Sequence, residues 1–274
     1  SWGPHPLVRA GRPDEAEPLL ARLVRREAAQ GHDVEQARAL VDLGHAHHDQ
    51  DRSENALPLW REAAGLFEAH GRWEDAARTL RAAGALVNRE RDELTRSSAL
   101  DLFERAVAAA RRAVDEDPAV LPAALHAHGY LLCESGRPEG LELLDEAVAL
   151  VREAEAPWQV ADYTDTRARA LWSLDQGAEA VSTALHAADL FTAAQDPEGA
   201  AQAELFAASV VAEDGSPEQA ATLFRLVSES TQSTLVRLGA LTGLHQCLSA
   251  VGDHDGAARA RDDLDAVREQ LGAD

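Results

Sequence analysis

Apolar residues recur at i, i+3, i+4 and i+7 along stretches rich in Ala, Leu, Glu and Arg, and β-branched alternation is missing. That periodicity predicts α-helix as the only regular structure and an all-α fold class. Breaks fall at Gly11-Arg12-Pro13, Gly31-His32-Asp33, Asp51-Arg52-Ser53, His70-Gly71-Arg72, Asp115 to Pro118, Gly136-Arg137-Pro138, Ala156-Pro157, Gln195-Asp196-Pro197, Gly215-Ser216-Pro217 and Gly252-Asp253. Each joins a helix stop to a helix start, with Gly on the C-cap side and Pro or a short polar residue opening the next helix. About eleven or twelve helices with short loops are expected.

Small residues on alternate helices repeat at Ala16, Ala56, Ala99, Gly140, Ala180, Ala220 and Ala257, a spacing of about 40. That is the mark of a repeat array. The best unit reads Leu40, Leu43-Gly44, His47, Ala56, Trp60 and Ala63; later units carry Gly84, Val87, Ala99, Phe103 and Ala106, then Leu125, Gly129, Leu132, Gly140, Leu144 and Ala147. This order of large residue, Leu-Gly, ring, Ala, bulky residue and Ala resembles the tetratricopeptide (TPR) repeat, in a long-helix bacterial form. The resemblance implies an α-solenoid of about six antiparallel helix pairs over residues 13–271, after a truncated leading segment 1–12 and before a tail 272–274. Small residues would let the helices of a pair approach, and bulky ones would fill the space between pairs. The period exceeds the family's usual 34 and approaches that of HEAT arrays, the alternative by length alone. One extra turn per helix accounts for the difference.

Of 274 residues 45% are hydrophobic, enough for a core, and 4% aromatic, so that core is built from Ala, Leu and Val. Every cation is Arg, and Lys, Ile and Met are absent, which points to a GC-rich bacterial source and excludes Schiff-base and P-loop lysines. With 26 bases against 48 acids and a net charge of −22, nucleic acid and anionic membrane surfaces are not expected partners. No apolar run approaches the roughly 20 residues of a membrane span. Cys133 and Cys247 are isolated, so a cytoplasmic protein with two buried thiols is expected. Charge is also uneven: residues 1–137 hold 18 Arg and 23 acids, net −5, and residues 138–274 hold 8 and 25, net −17.

In arrays that the pattern resembles, the first helix of each pair lines a groove. Helical spacing then selects Arg38, Val41, His45, His48 and Asp49; Arg78, Arg81, Ala85, Asn88 and Arg89; Ala123, His126, Tyr130, Cys133 and Glu134; and Asp162, Asp165, Arg169, Trp172 and Ser173. The expected partner-binding residues are Arg38, His45, His48, Arg78, Arg81, Asn88, Arg89, His126, Tyr130, Arg169 and Trp172. Arg and His suit an acidic peptide or protein segment through charged hydrogen bonds. Family members that clamp a terminal carboxylate use Lys and Asn on successive helices; here Lys is absent and only Asn88 lies on a groove face, so that clamp is not expected.

His45, His48 and Asp49 share a helical face but need a ligand from elsewhere, so neither metal nor cofactor is expected. GxSxG, GxGxxG, Walker A and EF-hand motifs are absent, so the chain reads as a non-enzymatic interaction scaffold. The alternative is a sensor or regulatory module of a larger bacterial regulator. Leu19, Leu20, Leu23 and Val24 on the first predicted helix lack a preceding helix, so either a covalently attached upstream domain or a homodimer is expected to cover them.

Overall fold

The computed structural model describes residues 12–89 and 93–273, with side chains over 12–89 and 95–270. Among the described residues the chain is all-α. Its thirteen helices are α1 (Pro13–Gln30), α2 (Asp33–His48), α3 (Ser53–Ala69), α4 (Trp73–Asn88), α5 (Glu93–Ala113), α6 (Val120–Glu134), α7 (Gly140–Glu153), α8 (Pro157–Ser173), α9 (Gly177–Ala193), α10 (Pro197–Glu213), α11 (Pro217–Ser230), α12 (Thr234–Ala250) and α13 (His254–Ala273). The helices pack sequentially in antiparallel pairs, whose first members carry even numbers.

Two compact units divide the chain, Ser1–Leu131 and Leu132–Asp274. In the first, each helix from α1 to α4 packs on its successor; in the second the same holds from α7 to α12, and α10 also touches α8 and α12. The repeat anchors lie in the cores: Ala16, Ala56, Ala99, Ala180 and Ala220 are fully buried, and Gly140 and Ala257 are buried. The bulky residues Trp60, Phe103, Leu144 and Phe224 are buried as well, with Trp60 against Gly44, Phe103 against Gly84 and Phe224 against Gly243. On α1, Leu20 is buried, whereas Leu19 remains 42% exposed.

One turn is used again and again. A residue of positive φ follows the helix at Gly31, Asp51, Gly71, Gly136, Glu155, Asp175, Gln195, Gly215 and Gly252. The next amide then reaches back to a carbonyl in the last helical turn, as Arg52 N to His47 O at 3.0 Å and Gln176 N to Leu171 O at 3.0 Å. This is the Schellman arrangement, which satisfies carbonyls left over at the helix end. Helices of 16 or 17 residues separated by this turn give the half-period near 20. Four of the nine positions are not glycine, and Glu155 (φ 52) and Gln195 (φ 62) have no short polar side chain to ease the left-handed conformation. Gln195→Gly and Glu155→Gly are therefore expected to stabilise by up to about 1 kcal/mol each, the strain relieved exceeding glycine's entropy cost. Chemical denaturation measures this; unchanged midpoints would mean the turns carry no strain.

The candidate binding face of the even-numbered helices

In the first unit, α2 and α4 flank a cavity of about 290 Å³ whose floor is Trp60 and Phe67 of α3. Val41, Asp42 and His45 line one side, and Asp75, Arg78 and Thr79 the other. Trp60 is held in place by its indole N–H, which donates to the Val41 carbonyl at 3.2 Å. The His45 ring lies 5.0 Å from the Trp60 ring, and burial lowers its pKa, so the imidazole is neutral near pH 7. The result is an aromatic floor with an acid and a guanidinium at the rim.

His45 and Arg78 are thus brought to one cavity, and the His48 ring also lies near Trp60, with ring centres 6.0 Å apart. His48 Nδ1 also meets Ser53 Oγ at 3.2 Å across the turn between α2 and α3. Arg38 is half-buried, with Glu35 at 3.8 Å and an Nε lacking an acceptor. The stripe on α4 is less cationic than its spelling suggests. Arg78 pairs with Glu74 at 3.1 Å and with Asp117, which the loop between α5 and α6 carries back to it. Arg81 and Arg89 are exposed and make no ion pair among the described residues, while Asn88 is half-buried at the helix end.

On α6, His126 and Tyr130 are half-buried. Burial first, and the nearby charge of Arg81 second, push the His126 pKa down to about 4. His126 is therefore a neutral group rather than a cation. Cys133 of the same predicted stripe is fully buried and belongs to the core; burial raises its thiol pKa to about 11.

In the second unit, Arg169 donates to Asp165 at 2.8 Å and stacks 4.5 Å over the Phe206 ring. Trp172 is half-buried, with its ring edge 3.3 Å from where a Cβ on Gly177 would lie, so it fills space at the turn into α9. The face carries instead Trp158, 47% exposed, whose Nε1 donates to Asp196 at 2.9 Å. Asp162, Asp165, Asp196 and Glu198 surround the cavity of about 280 Å³ beside it. Burial, then the charge of Asp165, raises the Asp162 pKa. Trp158 lies four residues before Asp162, one turn back on the predicted stripe, and extending that stripe to the helix start would have found it. No group of three or more metal-ligating side chains comes together among the described residues. Nor is any described helix long and apolar enough to cross a membrane.

No protein-family model matches the sequence, and no curated protein matches it. Solved structures do. BtubC (BKLC) from P. vanneervenii is 17% identical, with 92% of each chain covered and a TM-score of 0.53. A Podosopora anserina protein of nearly identical TPR-like repeats, assigned as a kinesin light chain, is 20% identical over 71% of this chain and 97% of its own, with a TM-score of 0.56. At such identities the likeness concerns the fold, and with the antiparallel pairs and the buried small-residue anchors it gives this chain a TPR-like repeat fold.

Proposed function

We propose that the chain is a non-enzymatic interaction module that takes a peptide or protein segment on its even-numbered helices. The observation that carries this reading is the cavity between α2 and α4: an aromatic floor fixed by the indole hydrogen bond, with His45, Asp42 and Arg78 around it. A fold of stacked helix pairs offers a broad surface for such a partner, and folds of this kind are usually non-catalytic.

Within the first unit the partner that fits is acidic. Arg81 on α4 and Arg89 just past its end are exposed and make no ion pair among the described residues, and a partner's carboxylates would answer them. Residues 138–274, with 8 Arg against 25 acids, oppose the same partner by charge. A fluorescein-labelled peptide of alternating Glu and Leu is the probe. Arg81→Ala is expected to weaken its binding roughly tenfold through faster dissociation, the loss typical of one charged hydrogen bond. Arg72→Ala, whose guanidinium is already paired with Asp75 at 3.0 Å, is expected to change only the salt dependence. Equal small effects from both substitutions would leave α4 an ordinary solvated helix face.

A further inference from the structure

In the second unit, α11 and α13 both pack on α12 and leave between them a cleft of about 630 Å³. Its floor is Leu241, Leu244 and Leu248, which fall at i, i+3 and i+7 and share one face of α12. Arg225 of α11, Arg237 of α12 and Arg259 of α13 open on it. Residues 138–274 contain only 8 Arg, so three of the scarce cations of this half meet at one cavity. None is in an ion pair among the described residues. Arg237 is held by one bond, from Nη2 to the Thr231 carbonyl at 2.5 Å, and its Nε finds no acceptor.

A cleft of the same kind over α8 shows the contrast. There Arg167 is answered on both sides, by Asp145 at 2.7 Å and Glu179 at 3.2 Å. Over α12 two acids, Glu229 and Asp263, also line the walls, each one turn beyond an arginine on its own helix, yet neither lies within ion-pair distance of it. Three guanidinium groups against two carboxylates leave one positive charge above an apolar floor.

We propose that this cleft binds an amphipathic monocarboxylate, a small acid carried on an aliphatic chain. The single excess charge selects one carboxylate rather than a phosphate or a polyacid. The leucine floor runs about 10 Å along α12, which suits an aliphatic chain of about eight carbons. The volume falls in the range of small-molecule sites, roughly 300 to 1,000 Å³. Burial of the aliphatic chain raises the strength of the charged hydrogen bonds beside it, because water is displaced from both.

Octanoate is the probe, titrated into the full chain by calorimetry, with acetate and octyltrimethylammonium as the charge-only and opposite-charge arms and a hexaglutamate peptide as competitor. Octanoate is expected to saturate one site where acetate and octyltrimethylammonium at equal concentration do not. Arg237→Gln and Arg259→Gln should each weaken it roughly tenfold, and Arg261→Gln, outside the cleft, should not. Arg259 is exposed, so its replacement leaves the fold intact even if that of Arg237 does not. Equal binding of the ammonium compound, unchanged affinity in Arg259→Gln, or full displacement by hexaglutamate would each overturn the proposal.

Discussion

Gly44→Ala is expected to destabilise the protein by about 1 to 3 kcal/mol, although alanine is the better helix former by about 1 kcal/mol. A Cβ at residue 44 would lie 2.2 Å from Trp60 Nε1 and 2.6 Å from Cδ1. The indole cannot withdraw cheaply, because it is 3% exposed and anchored to the Val41 carbonyl. Gly65→Ala is the control, since nothing lies within 4 Å of a Cβ there and α3 should gain up to about 1 kcal/mol. Trp60→Ala should cost about 3 to 5 kcal/mol by leaving a cavity. In a Trp60→Leu background the penalty at residue 44 should largely vanish, a coupling that a double-mutant cycle reads directly. Gly84, whose Cβ would meet Phe103 at 2.8 Å, should behave as Gly44 does. Equal responses at residues 44 and 65 would show that the close approach is not what the glycine serves.

That glycine also shows how far the fold was legible. A glycine followed by a ring about one helix later is a packing rule written in sequence, and Gly44 with Trp60 and Gly84 with Phe103 obey it, the first as Leu43-Gly44 and the second as Ala83-Gly84. Helix ends were legible wherever glycine or proline marked the turn. They were missed between α4 and α5, where residues 89–92 hold neither glycine nor proline, after α8, where Asp175 takes the left-handed position without glycine, and between α11 and α12, where Thr231 is extended at ψ 142 and its hydroxyl accepts from the Ser233 amide. Thirteen helices among the described residues, against an expected eleven or twelve, follow from such turns.

The candidate site was legible as stripes and not as charges. Spacing along α2 and α4 placed His45 and Arg78 on faces that meet at one cavity. It did not reveal that Asp117, 39 residues beyond Arg78, returns to neutralise it, because a loop rather than a helix sets that approach. Nor did it reveal which histidines are cations: His45 and His126 both lose basicity to burial, which residue type and spacing do not encode. Near pH 7 the positive charge this face offers therefore comes from arginines such as Arg81 and Arg89 rather than from His45 or His126.

His126 should instead make the fold sensitive to acid. Its folded pKa of about 4 lies below the ordinary value of 6.5, burial being the main cause and the Arg81 charge the lesser. The unfolded chain thus takes up a proton at a pH where the folded chain does not. The stability contributed by the neutral ring is complete above pH 6.5 and is lost as pH falls toward 4, amounting at the acid end to about 3 kcal/mol. His126→Gln removes that titration while keeping a polar side chain of similar reach. Denaturant unfolding at pH 7, 6, 5 and 4 should show the wild type losing stability over this interval more steeply than the variant, while the protonation of carboxylates acts on both alike. Arg81→Ala lifts the repulsion on the imidazolium and raises the folded pKa, so the fall should still begin near pH 6.5 but end at a higher pH and be smaller. Parallel slopes for wild type and His126→Gln would mean that the ring protonates freely in the folded protein, and His126 would then rejoin the cationic groups available to a partner.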